Sequence, residues 1–232
     1  METLKGVGVA LVTPLNAEGK IDYPSFEKLI NHTIKGGVDF LVVQGTTGES
    51  ATLSVKQKQA LLSQAVTIID GRVPVVFGHG GSNTQAIIEG YKDLDLKGVS
   101  AILSVSPYYN KPSQEGILAH FTLLNDAFDL PIILYNVPGR TGSNISAETT
   151  LKLAKLNNII GIKEASGDLS QMTQIIKHKP EGFLVLSGDD DLILEQMAIG
   201  ADGVISVMAN SFPEEFCTLV HAAAKGDYVT AR

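Results

Sequence analysis

Cysteine is nearly absent: the 232 residues include one, Cys217. No disulfide can form within the chain, and the count fits a reducing compartment. An excess of basic residues is missing too. Eighteen Lys and Arg against twenty-five Asp and Glu give a net charge of −7. With no cationic stripe to offset phosphate repulsion, nucleic acid is set aside as the main partner. No apolar run is long enough for a membrane span. The opening METLKGVGVALVTPL also lacks the basic start and small-residue cleavage site of a signal peptide. The expected location is cytoplasmic, with no membrane partner. The five histidines show neither H-x-x-x-H spacing nor an adjacent ligand cluster, which argues against zinc. Low-complexity segments and Pro/Gly/Ser linkers are absent.

What is present is ordinary for one large globular domain: 44% hydrophobic and 19% charged residues. A chain of this length buries roughly 70–75% of its unfolded surface. A two-part unit recurs along it. Short β-branched runs lie near 7–13, 40–44, 73–77, 101–105, 132–137, 159–163, 183–187 and 203–207, with amphipathic stretches between them. DYPSFEKLINHTIKGG carries Phe26, Leu29, Ile30 and Ile34 at helical spacing and ends in Gly-Gly. Ser54 and Ser146 are placed as N-caps, with Glu148 in the first turn after Ser146. Strand–helix alternation implies parallel strands with helical crossovers. Eight such units in this length suit an α/β fold of the (β/α)8 TIM-barrel class. An open doubly wound sheet is the rival. It lacks support, because Gly6-x-Gly8 falls within a strand and GHGG (78–81) has the wrong spacing for a dinucleotide fingerprint.

Barrel chemistry sits where strands end and βα loops begin. GTTGES (45–50), GHGGSN (78–83), SPYYNKP (106–112), YNVPGRTG (135–142), KEASGD (163–168), SGDD (187–190) and SVMAN (206–210) all fall on that face. The opposite connections, such as KGGVD and DGRVP, are plain stops. Within IIGIKEASGD (159–168), Lys163 interrupts an apolar strand. If it points inward, Gly161 and Ala165 do as well, while Ile160, Ile162 and Glu164 face the helices. Small neighbours leave room beside the amine, and a confined apolar site disfavours its charged form. A neutral, nucleophilic amine then becomes accessible near pH 7. A snorkelling lysine, or one paired with a barrel carboxylate, is the plainer alternative.

Tyr135 lies on the preceding strand and can exchange protons with a nearby amine during carbinolamine and imine formation. Core packing is its plainer role. Arg140, in a Pro/Gly loop on the same rim, suits a bidentate grip on a carboxylate. In GTTGES the turn amides at a helix N-terminus, with Thr46 and Thr47, favour an anion. In SGDDD (187–191) three carboxylates open the DLILEQMAIG helix. They read as caps and dipole partners rather than metal ligands. His79 is a rim residue without an assigned role.

In their order along residues 4–230, G-T-T-G-E, S-P-Y-Y, Y-N-V-P-x-R-T-G, G-I-K-E-A, S-G-D-D and G-V-I-S-V together resemble the dihydrodipicolinate synthase / N-acetylneuraminate lyase family of pyruvate-dependent class I aldolases. The double threonine and Arg140 are similar to its synthase branch. The resemblance implies that Lys163 forms an imine with pyruvate and that Tyr135 donates and accepts protons. Thr46 would relay protons between Tyr135 and Tyr109, the latter from a neighbouring subunit. Thr47 would hold the pyruvate carboxylate, Ile205 and Gly188 would line the pocket, and Arg140 would receive the carboxylate of L-aspartate 4-semialdehyde. The implied product is 4-hydroxy-tetrahydrodipicolinate, on the route to diaminopimelate and lysine. No metal or organic cofactor is expected, and the expected assembly is a homo-oligomer. A sialic acid or 2-keto-3-deoxy sugar acid aldolase, and a catalytically silent barrel, are the alternatives.

Two departures from the family accompany the resemblance. Members usually continue for roughly 60 residues as a helical C-terminal domain. Residues 1–224 are therefore expected to form the barrel and 225–232 the start of an extension that is mostly missing. Lysine-sensitive members use histidines, an asparagine and a glutamate at an interface site. Val55, Lys58, Ser82 and Ala86 stand nearest those positions here, so feedback by lysine is expected to be weak or absent.

Overall fold

Each β-branched run becomes a strand in the computed structural model, which describes residues 4–232. The strands are β1 (Gly6–Ala10), β2 (Phe40–Val43), β3 (Val75–Gly78), β4 (Ala101–Val105), β5 (Ile132–Asn136), β6 (Ile159–Glu164), β7 (Leu184–Ser187) and β8 (Gly203–Ser206). Helices α1 (Tyr23–Lys35), α2 (Val55–Ile69), α3 (Thr84–Lys92) and α4 (Gln114–Ala127) join the first five. Then come the short α5 (Pro138–Thr141), α6 (Ala147–Leu153), α7 (Leu169–His178), α8 (Ile193–Ala198), α9 (Pro213–Ala224) and α10 (Tyr228–Ala231). All neighbouring strands pair in parallel and in chain order, and β8 closes onto β1. The fold is the (β/α)8 barrel.

The helix starts are where the sequence places them. Ser54 accepts from the Gln57 amide while Gln57 reaches back to the Ser54 amide. Ser146 accepts from the Thr149 amide, and Asp22 from that of Ser25. Each cap is worth about 1 kcal/mol. No helix among the described residues is long and apolar enough to cross a membrane.

The strands bury both faces, as parallel strands must. Outward residues such as Val9, Leu41, Phe77, Leu134 and Ile162 join the helices in one large apolar layer. Inward residues, among them Phe40, Val42, Leu103, Ile133, Leu186 and Ile205, fill the barrel as a second cluster. Gly8 makes that filling possible: a Cβ there would lie 2.2 Å from the Phe40 ring. Burying that ring completely contributes roughly 1.5–3 kcal/mol.

β6 departs from simple alternation at one point. Ile132 pairs with Ile159 but Ile133 pairs with Gly161, so Ile160 is an extra residue bulged out of register. The bulge turns Ile160 toward the interior cluster rather than the helices, contrary to the strict two-residue period. Beyond it the period resumes. Ile162 and Glu164 face out, while Lys163 and Ala165 face in.

Candidate active site

Tyr135 and Lys163 are direct partners in the β5–β6 ladder. Both point into the upper end of the barrel, and the Lys163 ammonium nitrogen lies 4.6 Å from the centre of the tyrosine ring. Lys163 is 4% exposed and makes no ion pair among the described residues. Burial away from water lowers its pKa to about 8. The carboxylates of Asp190 and Asp189 pull the other way, and the Arg140 guanidinium adds to the lowering. Both plainer alternatives are thereby removed: the amine neither snorkels to solvent nor locks onto a carboxylate. Burial raises the Tyr135 phenol above its ordinary range, with the Thr46 hydroxyl the largest opposing influence.

Gly188, at the end of β7, is packed against the lysine. A Cβ at this position would stand 2.9 Å from Lys163 Cε and 2.5 Å from Ala165 Cβ. Ile205 on β8 is fully buried in the same interior cluster. Beside the lysine–tyrosine pair opens a cavity of about 310 Å³, near the lower end of small-molecule sites (about 300–1,000 Å³). Thr46, Tyr135 and Arg140 lie on its wall, together with Gln44, Lys58 and Tyr108. Lys163 lies against the Tyr135 ring rather than on that wall, and Thr47 is half-buried off it. Tyr109 is 88% exposed with φ 72° and stands outside the cavity of its own chain.

Two local readings change. GTTGES does not open a helix. Residues 46–48 and 50–52 form two 3₁₀ turns joined through Glu49 at φ 54°, and α2 begins only at Val55. The donors there are turn amides, not a helix terminus. The SGDDD carboxylates do not cap their own helix either. Asp189 Oδ2 accepts from the Gly167 amide, and Asp190 Oδ2 accepts from the amides of Val207 and Met208. They tie the β7 loop to the loops after β6 and β8. His79 lines the cavity while its ring is held in place: its Nε2 is 2.8 Å from the Ile87 carbonyl, and the ring packs among Phe77, Tyr91 and Phe128. No group of three or more His, Cys, Asp or Glu that could hold a metal is gathered among the described residues.

Sequence reasoning passed over the support behind the pair. Asn136 and Glu164 are the next partners in the ladder, facing outward. Asn136 Nδ2 donates to both Glu164 oxygens at 3.0 and 3.1 Å. The Ser166 amide and Gln171 Nε2 donate to the same carboxylate. The buried network clamps the β5–β6 rung from outside the barrel wall. Gln44, on the cavity wall at φ 65°, was passed over as well; a glutamine ending an apolar run just before GTTG was a usable signal.

Known proteins resemble this chain along nearly its whole length. Residues 3–232 match the model of the dihydrodipicolinate synthetase family. A 4-hydroxy-tetrahydrodipicolinate synthase of Parabacteroides distasonis is 50% identical over 230 residues, covering 99% of this chain and 77% of that protein. A dihydrodipicolinate synthase structure from Bacillus anthracis superposes with a TM-score of 0.93 at 43% identity, covering 98% of this chain and 78% of that one. The chloride-inhibited dihydrodipicolinate synthase of Acinetobacter baumannii, solved in complex with pyruvate, gives 0.95 at 40% identity, with the same two coverages.

Proposed function

The chain belongs to the dihydrodipicolinate synthetase family, and we propose that it catalyses the 4-hydroxy-tetrahydrodipicolinate synthase reaction, an aldol condensation of pyruvate with L-aspartate 4-semialdehyde through an imine on Lys163. The observation that carries the reading is the Lys163 amine, buried without a counter-ion against the Tyr135 ring.

The neutral amine attacks the keto carbon of pyruvate. A proton passes from nitrogen to oxygen to give the carbinolamine, and a second proton, delivered by Tyr135, lets its hydroxyl leave as water, giving a protonated imine. Tyr135, whose ring lies against the amine, carries those protons, with the Thr46 hydroxyl beside it. Thr47 and the amides of its 3₁₀ turn hold the pyruvate carboxylate. Loss of a methyl proton gives the enamine, with the imine nitrogen taking up the electron pair. The enamine carbon attacks the aldehyde carbon, and the alkoxide that forms is protonated. The amino group of the aspartate-derived part then displaces Lys163 from the imine carbon. That step closes the ring and restores the free amine. Arg140, on the cavity wall and exposed at the rim, receives the carboxylate of the aldehyde substrate. Tyr109, turned away from its own cavity, reaches the site of a neighbouring subunit in a homo-oligomer.

Borohydride reduction with pyruvate tests the reading. Irreversible attachment of a pyruvyl group at Lys163, found by peptide mass mapping and lost in Lys163→Ala, is the expected result. An intact protein left unmodified overturns it. Turnover of aspartate semialdehyde with pyruvate, set beside cleavage of N-acetylneuraminate and 2-keto-3-deoxy sugar acids, fixes the substrate, and Arg140 favours the first.

A further inference from the structure

Asp190 carries a carboxylate oxygen with nothing to do. Its Oδ2 is held by two backbone donors, Val207 at 2.9 Å and Met208 at 2.8 Å, which fix the side chain across the top of the barrel. Its Oδ1 is enclosed and has no hydrogen-bond partner. A buried carboxylate oxygen left without a donor is costly, and such an atom in a folded protein calls for an explanation. The carboxylate is anchored in the loop whose first residue, Gly188, packs on Lys163 Cε. Lys163 itself has no ion-pair partner among the described residues. A free anionic oxygen and an unpaired amine thus share the upper end of the barrel, without contact close enough to quench the amine.

We propose that Asp190 is a positioning residue of this site, its free carboxylate oxygen supplying the negative charge that offsets the cationic nitrogen formed when Lys163 condenses with a keto acid. The inference rests on the imine reading above. An ion pair with Lys163 would hold the amine protonated and unreactive. A charge held farther off, on a rigid backbone anchor, costs little while the amine is neutral. It acts when the nitrogen becomes a fixed cation, which is stabilisation directed at the charged intermediate. The other charged and titratable groups that influence the amine are Asp189, Arg140 and Tyr135. Asp189 is partly engaged by the Gly167 amide. Arg140 opposes both carboxylates, and their combined direction on the amine favours the cation.

Asp190→Asn keeps an acceptor for Val207 and Met208 and removes the charge. Pyruvate-dependent borohydride trapping is followed across pH 6–10 in wild type and variant, with thermal melting as the control for folding. The expected result is a folded variant that needs about tenfold more pyruvate for half-maximal trapping. Its pH midpoint should also lie lower by about 1 unit, the scale of one nearby opposite charge. The same midpoint and the same pyruvate dependence in both proteins overturn the proposal. If Asp190→Asn does not fold, Asp190→Ser supplies a smaller acceptor at the same anchor and is read in the same way. Failure of both to fold also overturns it, because the carboxylate then serves only to hold the rim together. Wild-type protein that is never trapped refutes the imine reading itself, a different result from either.

Discussion

Lys163 and Tyr135 occupy paired positions on adjacent parallel strands, with the lysine nitrogen 4.6 Å from the centre of the tyrosine ring. The ring face is a polarisable surface close to a buried, unpaired amine, and it tolerates both the neutral and the cationic form. One rung outward, Asn136 and Glu164 are paired in the same way and hydrogen-bonded to each other. The reacting rung and its brace are consecutive steps of a single ladder.

Imine formation requires the neutral amine, and burial holds that amine at about 8. The rate of borohydride trapping with saturating pyruvate should rise with pH through about 8 and level off above it. A midpoint near the ordinary lysine value of 10.5 would show that the amine is solvated in solution.

The same burial destabilises the fold. With a folded value of about 8 and an ordinary lysine value of 10.5, the unfolded chain binds the extra proton between those pH values. Stability from this group therefore rises with pH across that window. Lys163→Met should abolish trapping yet stabilise the protein by about 3 kcal/mol at pH 7. The gain should shrink as pH passes from 8 to 10.5. Chemical denaturation at pH 7 and pH 10 measures both; equal gains at the two pH values would contradict the assignment.

Gly188→Ala places a methyl group 2.9 Å from Lys163 Cε. The lysine must move, and displacement of a reacting group by about 1 Å can cost roughly 100-fold in rate. A drop of that order in kcat is expected together with a lower melting temperature, because the new methyl also stands 2.5 Å from Ala165 Cβ, which cannot swing aside. Activity within twofold of wild type would show that the lysine has room the structure does not display.

Glu164→Gln puts an amide donor where every neighbour already donates: Asn136, Ser166 and Gln171. One buried donor is left unpaired, at a cost of about 1–3 kcal/mol. Urea unfolding measures it, and an unchanged midpoint would count against the brace.

Free L-lysine should inhibit weakly or not at all. Lys58 lies on the cavity wall, half-buried, with burial disfavouring its own ammonium form. Val55, Ser82 and Ala86 supply no carboxylate or imidazole to receive a second amine. Inhibition at sub-millimolar L-lysine in the condensation assay would overturn this.

The class of fold, the eight strands, the cap serines and the face on which polar groups collect are legible in the sequence. Those follow from local periodicity and from where glycines and hydroxyls interrupt it. The sequence also singled out Lys163, because an ammonium inside a β-branched run is anomalous in any context. What surrounds that amine depends on contacts between distant segments. Residues 135 and 163 are neighbours only because β5 and β6 pair in one register, and the bulge at Ile160, invisible to a two-residue period, keeps that register. Asp189 and Asp190 resemble helix caps in one dimension. Their oxygens bond instead to loops 22 residues before and 17 and 18 residues after them, contacts that exist only once the barrel is closed. The reactivity of the amine belongs to the same category, since it is set by exclusion of water, and no stretch of sequence excludes water until the chain has folded around it.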